Sequence, residues 1–552
     1  MEKALHWNPQ WAALISGVIV HHGLFRRGEW HCSANNIILT YSTVFVSVLL
    51  LATLTSDLFI GKHPLTPSLV AKLHLCHFAG LFPSILVYRA LFHRLRRFPG
   101  PRLARLGSLY AVVLARDLGI FRRYRILHQR YGDIVRIGPS ELSIADPEAV
   151  KVIHPLHGRQ HATPKKGPWY DQPYPRFSLQ TTRDDHEHAR LRRIWDRAFN
   201  TKALREYSPR VRVHAVRLHE VIEQSIRKAQ PLDVAQWFNY YSFDVMGDLA
   251  FGKSFNMLAG GGDHHFVSMI HDNMRYVGHL GPLVWFFPLF TRIPVLNWEN
   301  LRFWRFVSGQ IAERRKNPPD SPDVFNWILE GYGDVTNTPK GMLALEAEAE
   351  LVIVAGSDTT AATLTNATFE LIRNPSQVTK LRAEFDSLNK DLTDISPEDL
   401  VKLPHLNAII YETLRLYPPV PSGVQRKTGP EGLSIGETVI PPETIVQVPF
   451  YTLFRDERCF AQPEVFIPER WTSRPELIHD SSVFIPFSAG AYSCVGKQLA
   501  LMELRWVLTT VMNQFDMEFL PGFDQHAFID GTEDTFTLVC APLPVRFSRR
   551  KV

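Results

Sequence analysis

The sequence predicts a large, mainly α-helical domain with small β-sheets, preceded by one or more membrane-spanning segments. Three observations carry that expectation. From about Asp185 onward apolar residues recur three and four positions apart, the spacing of helices that bury one face. Strand-like stretches are short and few, at residues 134–137, 141–144, 436–448 and 536–539. The first ninety or so residues hold three apolar runs, at 4–25, 37–55 and 73–88, and no comparable runs follow.

Composition supports a folded chain of this size. Of 552 residues, 45% are hydrophobic and 21% charged, with 35 Phe and 12 Trp, which excludes intrinsic disorder. The 39 prolines point to long ordered loops. A net charge of +6 is too mild to suggest nucleic acid as a partner. Between Arg89 and Arg136, however, twelve Arg face only Asp117 and Asp133, a local +10 that suits an anionic membrane surface. Five widely spaced cysteines, Cys32, Cys76, Cys459, Cys494 and Cys540, do not make a disulfide framework and suggest a reducing compartment.

In chain order, residues 1–93 read as the membrane region. The run at 37–55 is long enough to cross a bilayer, whereas that at 73–88 is shorter and contains Pro83. Three spans are expected, against the alternative of one span at 37–55 with two buried or interfacial flanks. Arg26 and Arg27 follow the first run, Lys62 stands alone before the third, and Arg89, Arg94, Arg96 and Arg97 follow it. The positive-inside rule then places the N-terminus in the lumen and everything after Arg89 in the cytosol. Residues 94–107, with Phe98-Pro-Gly-Pro-Arg102, form a basic, proline-stiffened hinge. Residues 108–552 form the main domain. It opens with a basic amphipathic helix at 119–131 and a hairpin around Gly138-Pro139.

The sharpest chemical signal is Phe487-Ser-Ala-Gly-Ala-Tyr-Ser-Cys-Val-Gly496, followed by a helical run from Lys497. Cys494 would lie at that helix's N-terminus, where free amides and the dipole favour a thiolate. A thiolate is a strongly donating axial ligand for haem iron. Gly490 and Gly496 permit a tight loop and close approach of a flat macrocycle, and Phe487 can shield the sulfur.

With this loop the sequence resembles the cytochrome P450 superfamily, in its fungal microsomal form. Phe487, Gly490, Cys494 and Gly496 match the family pattern, while Tyr492 stands where Arg or His is usual and removes one expected propionate cation. The resemblance implies the P450 fold and haem b, with iron held by Cys494. It gives Ala355-Gly-Ser-Asp-Thr-Thr360, inside a helix at 343–372, the role of the helix crossing the haem. Gly356 would open that helix, and Asp358 and Thr359 would deliver protons. Glu412 and Arg415 would lock to Arg470 of Pro468-Glu-Arg-Trp471 as structural residues. His188, Arg192 and Arg426 would contact propionates. A zinc reading of His186 and His188, or of His154, His157 and His161, lacks the His-Glu-x-x-His pattern and cysteine partners.

The implied function is a membrane-anchored haem-thiolate monooxygenase acting on a lipophilic small molecule in fungal secondary metabolism. No dinucleotide or flavin fingerprint is present, so electrons would come from an NADPH–cytochrome reductase, with cytochrome b5 as a further donor. The implied location is the endoplasmic reticulum membrane, catalytic domain facing the cytosol. Substrate contacts are expected from Trp169, Tyr170, Tyr174 and Phe177, from 351–355 and 420–424, and near Phe536. Two other readings stand beside this one. The first is a haem-thiolate isomerase or dehydratase acting on a hydroperoxide without a reductase. The second is a polytopic membrane protein that only binds a lipophile.

Overall fold

The structure is a computed structural model that describes residues 8–55, 66–155, 164–260, 264–293, 295, 297–319 and 321–550. It comprises two compact units. One contains Met1–Ala111, Arg136–Glu141 and Pro282–Asn297; the other contains Val112–Val135, Leu142–Gly281 and Trp298–Val552.

The long helices of the first unit, among the described residues, are Pro9–Val20, Ala34–Thr55 and Pro67–Val87. Two of them begin on a polar cap followed by proline. Asn8 accepts from the Gln10 amide and Thr66 from the Leu69 amide, satisfying donors that a helix start leaves free. Among the described residues two stretches are long and apolar enough to cross a membrane, His31–Leu54 with 24 residues and Pro67–Phe92 with 26. The third run is therefore longer than the sequence suggests. Lys72 interrupts the apolar pattern without interrupting the helix, because its long stem can carry the charge to an interface. Pro83 lies inside the helix and does not end it.

The first and third helices touch backbone to backbone. A Cβ on Gly17 would stand 2.1 Å from the His77 carbonyl oxygen, and one on Gly80 2.0 Å from that of Leu14, so glycine is required at both. Ser16 Oγ lies 2.8 Å from His77 Nδ1, and Tyr41 Oη 3.1 Å from His77 Nε2, which links all three helices through one imidazole. The loop around Lys62 lies outside the described residues. In the same unit the hinge is pinned by Arg136, whose amide donates to the Pro99 carbonyl at 2.7 Å. The fully buried Arg136 guanidinium donates to the carbonyls of Arg89, Gly138 and Pro139.

The second unit is organised around a 35-residue helix, Pro339–Arg373. Thr338 caps it by accepting from the Gly341 amide, and Pro339 occupies its first turn. Residues Ala361 to Leu371, toward its C-terminal end, are all buried; most are apolar or small, and the polar Asn366 and Glu370 are hydrogen-bonded to the Ala362 carbonyl and the Tyr417 hydroxyl. Around it pack Val234–Phe251, Pro404–Leu416 and Lys497–Gln514. The strand-like stretch at 436–448 is divided by Pro441-Pro442 into Thr438–Ile440 and Ile445–Gln447. Ile445–Gln447 pairs with Arg426–Lys427, which pairs in turn with Lys165–Lys166, so Lys166 lies opposite Arg426. A second hairpin, Glu533–Asp534 with Leu538–Val539, carries Phe536 in its turn.

Glu412, Arg415 and Arg470 form a fully buried cluster. Arg415 and Arg470 lie 2.8 and 3.0 Å from the Glu412 carboxylate, which also accepts from the Ile467 amide and the Trp471 indole. Every carboxylate lone pair has a donor, the condition under which buried charge is tolerated.

Candidate active site

The Cys494 loop is shaped by backbone geometry. Ser488 and Gly490 have φ of 56° and 68°, and a Cβ on Gly490 would stand 2.2 Å from the Pro155 carbonyl oxygen. The Cys494 amide donates to the Phe487 carbonyl at 2.8 Å, closing the turn. The helix Lys497–Gln514 follows at once. Cys494 is an exposed residue, although protein atoms crowd around its thiol. Burial raises the thiol's pKa, opposed by the amides of Gly496 and Lys497 and by the charges of Arg192 and Lys497. Those amides and charges favour the anion, and a metal ion would complete the deprotonation.

Beside the loop lies a group of cations. Arg192 donates to the Ser493 carbonyl at 2.6 Å, which places it directly against the cysteine turn. His188 is buried, and burial together with Lys166 and Arg192 holds its pKa down to about 3. Tyr492 stands among these groups. The Arg426 guanidinium lies 4.7 Å and the Lys166 ammonium 5.2 Å from its ring centre, and the His188 ring meets it edge-on at 4.7 Å. The Tyr492 hydroxyl donates to Asp185 at 3.3 Å.

Lys166 was not among the expected residues. It is buried, its ammonium donates to the Leu179 carbonyl, and burial beside Arg426 pushes its pKa well down. Its two-residue strand has no periodicity to reveal it; the only sequence signal was the pair Lys165-Lys166. Tyr492 thus removes a cation from the family pattern, and the structure supplies another at the same place.

These residues fit haem. Cys494 is an exposed residue that an iron could reach; Arg192 and Arg426 place positive charge beside its loop, and His188, neutral, offers a ring N–H donor there. Arg426 Nε is buried without a hydrogen-bond partner among the described residues, as expected of a donor that serves an anionic carboxylate.

The Pro339–Arg373 helix supplies the other expected residues. Leu351, Ala355 and Thr359, each four apart, share its less buried face, whereas Val352 and Ile353 are core residues and do not line the site. Thr359 donates to the Ala355 carbonyl at 2.9 Å. Asp358 is 2% exposed and accepts from the Thr537 hydroxyl at 3.3 Å. The helix is continuous through Gly356, contrary to the expected opening. A Cβ there would stand 2.6 Å from Met246 Sδ, so this glycine allows the Val234–Phe251 helix to pack closely.

Of the expected substrate contacts, Trp169 and Phe536 stack at 4.5 Å although 367 residues separate them. Phe536 adopts φ of 91°, strained for a side chain of its size and held by the hairpin. Tyr170 is buried beside Lys166, while Tyr174 is half exposed and faces outward. Val420, Ser422 and Val424 are partly buried. The zinc reading fails among the described residues. His186 is exposed while His188 is buried, and His154 packs against Phe450. His157 and His161 lie outside the described residues.

Comparison with known proteins agrees with this arrangement. The cytochrome P450 family model matches residues 99–547. The chain is 44% identical over 542 residues to cytochrome P450 monooxygenase FCK2 of Fusarium pseudograminearum, covering 97% of each chain. It is 47% identical over 487 residues to cytochrome P450 monooxygenase orf5 of Eupenicillium brefeldianum, covering 88% of this chain and 98% of that one. It is also 38% identical over 542 residues to tryprostatin B 6-hydroxylase of Aspergillus fumigatus, covering 98% and 96%. These matches exclude the reading of a protein that only binds a lipophile. With its cysteine loop, its cation cluster and its long central helix, the chain belongs to the cytochrome P450 family of haem-thiolate monooxygenases.

Proposed function

We propose that this chain is a membrane-anchored monooxygenase of fungal secondary metabolism that oxidises a lipophilic, ring-bearing small molecule. The observation that carries the substrate class is the Trp169–Phe536 stack, an aromatic wall held by a strained turn. Relatives whose names state an activity include a tryprostatin B 6-hydroxylase, in keeping with a hydroxylation as the reaction.

Haem bound through Cys494 supplies dioxygen activation, as elsewhere in the family. The remaining roles fall to the chain's own residues. Lys166, Arg192 and Arg426 would neutralise the propionates and the neutral His188 would donate a hydrogen bond to one of them, with Tyr492 as a platform for the cations. Thr359 holds a proton donor on the less buried face of the central helix. Asp358, adjacent and buried, supplies that donor with protons. Electrons come from an NADPH–cytochrome reductase, with cytochrome b5 as a second source.

Residues 1–93 are the anchor, 94–107 the hinge and 108–552 the catalytic domain, with the endoplasmic reticulum as the membrane. The Gly17–Gly80 contact and the His77 link favour a three-helix anchor over a single span. In that topology a glycosylation acceptor in the loop around Lys62 is modified and one in the Arg26–Arg27 loop is not; the reverse pattern contradicts it. The reaction itself is tested by reconstitution with reductase, NADPH and oxygen-18 gas. Label in the product, dependent on NADPH, is expected. Conversion of a hydroperoxide without NADPH would instead establish the isomerase reading.

A further inference from the structure

Asp358 must exchange protons with solvent if it is to supply them, yet its carboxyl group is 2% exposed. Its Oδ2 accepts from Thr537, a hydroxyl that is itself buried. Its Oδ1 lies 3.4 Å from Nε2 of His271, on the helix His264–Leu280. The His271 side chain is 17% exposed, so it is the partner of Asp358 that reaches water. The two meet in a crevice lined also by Asn239, Ala362, Thr365, Leu538, Val539 and Cys540, too narrow to admit a water molecule between them.

We propose that His271 is the proton-entry residue of this enzyme, a relay between solvent and Asp358. This rests on the reading that Asp358 and Thr359 deliver protons during oxygen activation. An imidazole is suited to the task because it takes a proton at one ring nitrogen and releases one from the other. In each cycle a proton from water binds the ring, Nε2–H gives its proton to the Asp358 carboxylate, and the carboxyl group passes it on toward Thr359. The carboxylate then returns to its starting state, while the ring, left protonated at Nδ1, recovers Nε2–H by turning to solvent and exchanging its protons with water before the next cycle; no electron moves.

The other groups near the ring do not replace it. Asn239 does not titrate, and burial raises the Cys540 thiol's pKa to about 12, which keeps it neutral. Phe243 packs at 6.3 Å from the imidazole centre and offers no exchangeable proton. On the same helix, Asp272 and Arg275 pair with each other, and Arg275 also with Glu533, at the exposed surface.

The test uses the holoenzyme with His271→Gln, His271→Lys, Asp358→Asn and the double variant H271Q/D358N. His271→Gln should keep its haem and slow NADPH oxidation with substrate about five- to tenfold, a modest part of the usual value of acid–base catalysis. The solvent deuterium isotope effect should rise. Lys at 271, which still exchanges protons, should recover part of the rate, and the double variant should be no slower than D358N.

A second readout is independent of turnover. In the diamagnetic ferrous carbonyl form, the ring NMR signal absent from H271Q should shift in D358N. Wild-type rate and isotope effect in H271Q, with D358N slowed, would overturn the His271 proposal alone. Wild-type behaviour in D358N would overturn the role of Asp358 as well. An unmoved ring signal in D358N would overturn the direct contact.

Discussion

The guanidinium carbon of Arg426 stands 4.7 Å from the ring centre of Tyr492, at the position where the family usually places a cation. An aromatic face carries partial negative charge and holds nearby cations by about 0.5–2 kcal/mol. Tyr492 therefore organises Arg426 and Lys166 instead of contributing a charge of its own. Replacing it with Leu should release both side chains and speed loss of haem to apomyoglobin by about two- to thirtyfold, from that same energy. Tyr492→His, which restores a family residue, should lose haem no faster than wild type. Equal haem loss from the Leu variant and wild type would remove Tyr492 from this role.

Glu412 satisfies two arginines that have no exposure to water. Glu412→Ala would leave Arg415 and Arg470 buried beside an apolar gap, at a cost of about 3–5 kcal/mol. Little folded holoenzyme should accumulate, and what does should unfold at a much lower urea concentration. Glu187→Gln breaks a pair that is about 40% exposed on both sides and should cost under about 1 kcal/mol. Similar urea midpoints for the two variants would contradict the locking role.

Glu348 is fully buried and accepts hydrogen bonds from the Tyr332 hydroxyl, the Trp195 indole and the Leu179 amide. Burial raises its pKa from 4.5 to about 7, against those donors. The unfolded chain releases this proton near pH 4.5 while the folded chain keeps it, so stability falls as pH rises from about 4.5 to 7. The loss is about 3 kcal/mol for this one group. Thermal melts between pH 5 and pH 8 should decline more steeply for wild type than for Glu348→Gln. Parallel declines would show that Glu348 is ionised in the folded state throughout.

Thr359 is assigned to proton positioning rather than to structure; its hydroxyl donates to the Ala355 carbonyl of its own helix. Thr359→Ala should keep its haem and continue to oxidise NADPH. Product per NADPH should fall about tenfold, well short of the roughly hundredfold or more of full acid–base effects, while hydrogen peroxide rises. An unchanged product yield per NADPH would exclude Thr359 from the mechanism.

Residues whose neighbours lie close in sequence were legible before the structure. The Cys494 loop shows its glycines, its cysteine and the helix after it within twenty residues, and the long helix around Asp358 shows its apolar content. Residues defined by partners far along the chain were not. Lys166 belongs to the site because a two-residue strand pairs with Arg426, some 260 positions away, and such a strand has no period to detect. His271 meets Asp358 only through helix packing. Gly356 suggested an opened helix, but its reason is Met246 on another helix. Pro83 marked the third segment as the weakest span, because a local breaker weighs heavily in a sequence and lightly in a helix that neighbours support.

The central claim is that Cys494 is the iron's ligand, and the carbonyl spectrum of the reduced protein tests it most directly. A thiolate ligand moves that band far to the red of the one given by other ligands. Wild type, Cys459→Ser and Cys540→Ser should all show the red-shifted band, since burial raises the pKa of both other thiols to about 12. Cys494→Ser should lose it completely. Persistence of the band in Cys494→Ser, or its loss in either other variant, would contradict the assignment on which the site and its chemistry rest.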